Sequence, residues 1–320
     1  MIDKNVSLKQ FSNYKIGGNA QYFFEAKTKE ELLDCLKEWE ELSKSIPEKS
    51  KKIFILGGGT NILFADEGFD GLVIKISIKG LRVDEENLIA GAGELVSDVL
   101  NFTKENELSG LEWAGGLPGT IGGAVRGNAG AFGGETKDNL FEVESLNIET
   151  KEIIKRSNKD CSFSYRSSVF KEKALNEVIL FVNFKLVKSN KKAIEDSINE
   201  KIEYRKQKHP LEYPNTGSVF KNVSFDLVPD RFREEFLAYV KNDPFPVIPA
   251  AKLIFLTDLR GKKIGDVMVS EKHTNFIVNL GNGKSQDVKA LINLIKESVK
   301  RKYEINLQEE IMYVGGDLNE

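Results

Sequence analysis

Histidine and cysteine are almost missing from this chain of 320 residues, with two of each. Cys35 and Cys161 stand far apart, which excludes a disulfide framework or a cysteine-rich metal site and fits a reducing compartment. His209 and His273 make no His-x-x-x-His spacing and the cysteines no Cys-x-x-Cys, so no zinc centre is expected and no metal ligand is assigned. Long apolar runs are lacking as well. Nothing approaches the ~20 residues of a membrane span, and the polar start Met1-Ile2-Asp3-Lys4-Asn5 opens no apolar signal segment. Nor is one sign of charge in excess: 46 basic and 49 acidic residues are mixed along the chain for a net charge of -3, which removes the field that would hold nucleic acid or anionic lipid. A cytoplasmic protein with neither a nucleic-acid nor a membrane partner is expected.

What is present is ample apolar material, 40% of residues, enough for two or three packed cores. Thr28-Lys29-Glu30-Glu31 reads as a capping box, in which the Thr28 hydroxyl accepts from the Glu31 backbone and the carboxylate reaches back. A helix carrying Leu32, Leu36 and Trp39 should follow. Lys52-Ile53-Phe54-Ile55-Leu56 has the content of a buried strand, and Leu72–Ile76, Leu88–Ala90 and Val178–Val187 read as further strands. Helices are expected over 95–105, over 191–208 with Ile194, Ile198 and Ile202 on one stripe, over 230–242, and over 285–302 with Val288, Leu291, Ile292, Ile295 and Val299 on one face. A domain boundary is expected near His209-Pro210, which breaks the 191–208 helix.

Two glycine clusters carry the chemistry. Gly57-Gly58-Gly59-Thr60-Asn61 directly follows a strand, where missing Cβ atoms let successive N–H groups turn toward a phosphate. The Lys-Ser/Thr of a P-loop is absent, which removes a kinase or ATPase reading. Ten of the 27 glycines fall between Gly110 and Gly134. Leu111, Trp113, Leu117, Ile121, Val125 and Phe132 interrupt them, unlike a solvated linker, so the stretch should be ordered, partly buried and shaped for a ligand. Neither cluster follows the Gly-x-Gly-x-x-Gly grammar of a Rossmann dinucleotide fold.

With these clusters stand Ile16-Gly17-Gly18, Asn128-Ala129-Gly130-Ala131, Tyr165-Arg166, Gly217-Ser218-Val219-Phe220-Lys221-Asn222, Val269-Ser270-Glu271-Lys272-His273 and Glu310. In this ordered set the chain resembles, nearly end to end, the UDP-N-acetylenolpyruvoylglucosamine reductases. The resemblance implies an α+β fold: an FAD-binding PCMH domain of the vanillyl-alcohol-oxidase type over 1–188, in two subdomains of about 1–78 and 79–188, then an α+β substrate-binding domain over 189–320. It implies noncovalent FAD, with Gly57, Gly58, Gly59, Thr60, Asn61, Gly119, Thr120, Gly122, Gly123, Ala124 and Asn128 as cofactor contacts. The implied reaction belongs to cytoplasmic peptidoglycan precursor synthesis: NADPH reduces the flavin, and the enolpyruvyl ether of UDP-N-acetylglucosamine then takes the hydride.

The resemblance also assigns roles residue by residue. Arg166 matches an arginine suited to the substrate carboxylate, being planar, bidentate and always charged. Ser218 matches the serine that gives the proton, and Glu310 a glutamate that stabilises the enolic intermediate. Tyr165, Lys221, Asn222, Lys272 and His273 match substrate contacts, the last two by offsetting phosphate charge. Gln308-Glu309-Glu310 stands where Glu-Pro-Glu is usual, so a one-residue slip would transfer the role to Glu309. Phe225–Ala250 is longer than the usual connection, and Tyr14-Lys15 replaces an arginine-containing approach to Ile16. Only one helix fits between Lys188 and Thr216, which favours the subclass lacking a substrate-covering insertion. Two other readings compete: a different flavin oxidase or dehydrogenase on the same scaffold, and a nucleotide-binding homologue without turnover. A monomer is expected.

Overall fold

The computed structural model describes residues 1–84, 87–172 and 175–316. The chain divides into two compact units, each gathered from several segments. The first comprises Met1–Val6, Ala20–Gly58 and Asp70–Arg205; the second comprises Ser7–Asn19, Gly59–Phe69 and Lys206–Glu320.

In the first unit, helix α1 (Lys29–Ser43) begins as its capping sequence requires. The Thr28 hydroxyl accepts from Glu31 N at 3.1 Å, while the Glu31 carboxylate accepts from Lys27 N, one residue before the cap. Its stripe of Leu32, Cys35, Leu36 and Trp39 is buried with Leu72 and Ile74. These come from a four-stranded sheet ordered Asp3–Ser7, Asn19–Ala26, Phe69–Ile76, Ile53–Leu56, whose last two strands run parallel. A five-stranded antiparallel sheet follows the order Ile153–Ser157, Leu140–Asn147, Glu177–Lys185, Asn87–Gly91, Leu81–Asp84. Helices α2 (Val96–Glu105) and α3 (Ile121–Gly127) contribute Val96, Val99, Leu100, Ile121, Ala124 and Val125 to the same core, joined by Ile194 and Ile198 of α4 (Lys191–Lys208).

The second unit has its own core. Helix α5 (Asp230–Phe236) is shorter than the helix expected over 230–242. The chain tightens to a 3-10 turn over Leu237–Tyr239 and then turns extended, and Lys241–Asn242 pairs as a strand with Pro246–Ile248. Sheet pairing here overrides a local helical preference. The Phe225–Ala250 segment is part of the core: Phe236 is buried with its ring 5.0 Å from that of Tyr303. Helix α6 (Ala250–Phe255) leads to a small antiparallel sheet of Lys263–Ile264, Val267–Val269 and Ile277–Asn279. Helix α7 (Ser285–Tyr303) buries all five apolar residues of its expected face, and Ser285 N and Oγ both donate to Asp66 Oδ2. The strand Met312–Val314 pairs parallel with Ile62–Phe64. Among the described residues, no helix is long and apolar enough to cross a membrane.

Candidate active site

Within the first unit the two glycine clusters meet. A Cβ on Gly58 would lie 2.8 Å from Gly119 Cα, and one on Gly57 would lie 2.9 Å from Thr120 Oγ1. Backbone can come this close to backbone only where side chains are missing. Among the described residues, the amides of Gly57 and Gly58 donate to no protein acceptor, and neither do those of Gly119 and Thr120. Gly59, which belongs to the second unit, has φ +65°, and a Cβ there would sit 1.9 Å from Phe11 O. Deeper in the second cluster the amides are already engaged. Ile121 N donates to Glu94 O, Gly122 N to Ala92 O and Ala124 N to Thr120 O, each at 2.9 Å. Gly123 N reaches only Thr120 Oγ1 at 3.4 Å, and a Cβ on Gly123 would meet nothing nearer than that hydroxyl at 3.5 Å. Unpartnered amides on one side and an open glycine face on the other fit a diphosphate-bearing ligand.

Asn128, expected as a cofactor contact, has its carboxamide engaged within the protein. It ends α3 in the left-handed conformation, φ 42°, and is 0% exposed. Its carboxamide donates to Glu135 Oε2 at 3.1 Å and to Ser164 O at 3.0 Å, and accepts from Lys137 N at 3.1 Å. With all these bonds made inside the protein, the side chain supports the loop that carries Tyr165 and Arg166. That loop is closed by paired bonds between Ser164 and Ser167, 3.0 and 3.1 Å. Arg166 at φ 57° donates through Nη2 to Gly130 O at 2.7 Å, and its guanidinium carbon lies 5.1 Å from the Tyr165 ring centre.

Within the second unit Ser218, Lys221, Asn222 and Glu310 come together. Glu310 N donates to Val219 O at 2.8 Å and Lys221 N to Gln308 O at 2.9 Å, so the two segments run antiparallel with Phe220 facing Glu309. On its other edge the 218–221 segment is held by Asn275. Val219 N donates to Asn275 O, and the Asn275 carboxamide bonds both Phe220 N and Phe220 O. Asn215 accepts from Gly217 N, and Asn61 donates from its side chain to Glu310 O at 2.9 Å. The Ser218 hydroxyl and the Lys221 ammonium have no protein partner among the described residues. Glu309 is occupied: Lys296 Nζ lies 2.6 Å from Oε1, and the Tyr313 hydroxyl donates to Oε2. Asn222 accepts from Ala250 N at the start of α6.

Lys272 and His273, expected to offset phosphate charge, stand in different surroundings. Lys272 Nζ donates to Lys206 O at 2.8 Å and lies 3.8 Å from the Glu212 carboxylate. The His273 ring packs edge-on against His209 and Phe276, at 5.5 and 4.8 Å between centroids. Burial pushes its imidazole down to about 4, so it is neutral at pH 7 and offers no positive charge. The sequence reading missed Asn215 and Asn275, whose only signal is proximity to the Gly217-Ser218 and Lys272-His273 motifs. It also missed Arg205, which carries no signal beyond being one more cation on a polar helix. Arg205 is 8% exposed, donates to Gly115 O at 2.9 Å and leaves Nη2 without a partner; burial lowers it to about 10. A buried guanidinium beside the glycine stretch, with its Nη2 unpartnered among the described residues, suits a ligand rich in acceptors.

Residues 20–155 match the family model of an FAD binding domain, and residues 209–314 match that of the UDP-N-acetylenolpyruvoylglucosamine reductase C-terminal domain. The UDP-N-acetylenolpyruvoylglucosamine reductase of Caldanaerobacter subterraneus subsp. tengcongensis is 36% identical over 312 residues, 97% of this chain and 93% of the relative. The reductase of the same name from Clostridium tetani is 34% identical over 318 residues, 99% of this chain and 93% of its own length. The crystal structure of UDP-N-acetylenolpyruvylglucosamine reductase from Thermus caldophilus superposes with a TM-score of 0.75 at 27% identity, covering 98% of this chain and 99% of that one. Similarity sustained along the whole of both chains, over an FAD-binding domain and a dedicated C-terminal domain, makes this chain a member of the UDP-N-acetylenolpyruvoylglucosamine reductase family.

Proposed function

We infer that this chain is an FAD-dependent reductase that uses NADPH to convert UDP-N-acetylglucosamine enolpyruvate to UDP-N-acetylmuramate, a cytoplasmic step of peptidoglycan precursor synthesis carried out by a monomer. The observation that carries this reading is the antiparallel ladder in which Ser218 and Glu310 stand on adjoining segments, with the Ser218 hydroxyl lacking a protein partner among the described residues. A hydroxyl so held keeps its proton for a bound substrate. FAD, when bound, would supply the hydride chemistry that links NADPH to the enolpyruvyl ether.

The chain's own residues meet the remaining demands. Negative charge develops next to the substrate carboxylate, so donors must be in place before it forms. Arg166 offers a fixed, planar cation for that carboxylate, Glu310 as its protonated acid donates to the enolic oxygen, and Ser218 gives its proton to the carbanionic carbon. Lys221, with no carboxylate partner among the described residues, suits the substrate diphosphate. Gly57 and Gly58 with Gly119 and Thr120 suit the FAD diphosphate, whereas the amides of Gly122 and Ala124 are already engaged. Asn128 acts behind Tyr165 and Arg166. Glu310 is favoured over Glu309 as the acid because the Glu309 carboxylate already serves Lys296 and Tyr313.

The test uses the visible spectrum of the purified protein under nitrogen. The yellow protein is bleached by NADPH and recovers its colour on adding the enolpyruvyl nucleotide. Ser218→Ala keeps the bleaching rate and slows recovery by about 10²- to 10⁴-fold, the usual worth of general-acid catalysis. Equal loss of both halves would remove Ser218 from its role. Colourless protein that takes up no FAD would favour a homologue without turnover.

A further inference from the structure

We propose that Glu309, clamped by Lys296 and Tyr313, is a positioning residue that sets the register in which Glu310 and Ser218 meet. The proposal rests on the reading of Ser218 and Glu310 as the proton-handling pair. The ladder joining their segments is a single bridge long, Phe220 facing Glu309, with two hydrogen bonds flanking the pair. Successive side chains along extended backbone point to opposite faces, so a slip by one residue exchanges Glu309 and Glu310. Both are glutamates, and two main-chain bonds discriminate weakly between the registers. Some other contact has to decide.

The Glu309 side chain supplies that contact. One oxygen lies 2.6 Å from Lys296 Nζ and the other accepts from the Tyr313 hydroxyl. Both partners sit on firmly held elements. Lys296 is on α7, whose Val288, Leu291, Ile292, Ile295 and Val299 are buried. Tyr313 is on the strand paired with Ile62–Phe64, and burial followed by the Glu309 contact keeps its phenol well above the usual range and protonated, as a donor must be. The facing segment is equally fixed, because Asn275 bonds both polar groups of the Phe220 backbone. With Glu309 held toward α7, alternation turns Glu310 to the other face.

Phe220 and Glu309 form a non-hydrogen-bonded pair, flanked by Lys221 N to Gln308 O and Glu310 N to Val219 O. A proline at position 309 therefore loses no ladder bond, and Glu309 is not among the residues with positive φ. A fixed ring there restrains the backbone by another route. The carboxylate clamp and a proline are thus two ways of doing one job, which separates this proposal from a merely structural ion pair. The Lys296 and Glu309 side chains are 41% and 18% exposed, so the pair adds little to global stability.

The experiment compares Glu309→Ala, Lys296→Met, Tyr313→Phe and Glu309→Pro in the full FAD-loaded chain. Two readouts are taken: the rates of NADPH bleaching and of recovery with the enolpyruvyl nucleotide, and deuterium exchange of the peptides containing the Lys221 and Glu310 amides. Expected are unchanged bleaching and melting temperature in Glu309→Ala and Lys296→Met, recovery slowed by about 10- to 100-fold as misplacement costs, and faster exchange at both amides. Tyr313→Phe should fall between. Glu309→Pro should retain most of the wild-type recovery rate and exchange protection, and adding Lys296→Met to it should change nothing. Wild-type recovery and exchange in Glu309→Ala, or a proline variant as impaired as the alanine one, would overturn the proposal. If wild-type protein is bleached but never recovers with this nucleotide, the functional reading falls instead, while the exchange data still decide whether Glu309 locks the ladder.

Discussion

Ser218 and His273 both come from recognisable motifs, yet their surroundings treat them in opposite ways. Ser218 lies between Gly217 and Val219, whose amides are held by Asn215 and Asn275, and its hydroxyl has no protein partner among the described residues, as the proposed proton donor requires. His273 is sealed against His209 and Phe276, and burial holds its imidazole at about 4, below the ordinary 6.5. The unfolded chain therefore takes up a proton at His273 before the folded protein does. Stability from this group is fully present above pH 6.5 and is lost as the pH falls toward 4, by at most about 3 kcal/mol. Urea midpoints measured across that range should fall for wild type and fall less steeply for His273→Phe; equal slopes would show that His273 does not carry this loss. The motif reading names His273 but cannot know its charge, because desolvation depends on neighbours distant in sequence.

Elements with a strong local signal match their expected bounds closely: α1 begins at its capping threonine, and α7 buries its apolar stripe. The 230–242 segment departs because a short strand pairing takes over its second half, a long-range contact that helical periodicity cannot register. The resemblance implied that both glycine clusters serve one cofactor, but how closely their backbones approach was not legible. Gly58 faces Gly119 with room for no Cβ. Gly58→Val should thus push the clusters apart and lower the ratio of flavin absorbance to protein absorbance severalfold, with far-UV circular dichroism unchanged. Full flavin content in this variant would show that the close approach is dispensable. Asn128 belongs to the same scale: sequence marks it as part of the glycine motif, and three internal hydrogen bonds make it a brace for the Tyr165-Arg166 loop.

The whole chain folds as two units that share no single cut point, since Ser7–Asn19 and Gly59–Phe69 join the C-terminal half. A ligand bound by the native but not the unfolded chain stabilises by mass action, about 2.7 kcal/mol at a hundredfold excess over Kd. Adding FAD to apoprotein should therefore raise the melting temperature by several degrees, and NADPH alone should do much less. No shift with FAD would contradict the cofactor fit of the Gly57, Gly58, Gly119 and Thr120 amides. By itself the sequence determined the family and the capped or strongly periodic helices α1, α2, α4 and α7, because capping, apolar periodicity and motif identity are local and survive in one dimension. Only the tertiary structure decided that the Glu309 carboxylate is engaged, that His273 is neutral, that Arg205 is buried and that Asn275 holds the Ser218 segment. Each of these depends on which distant groups share a low-dielectric neighbourhood, and that is settled by packing.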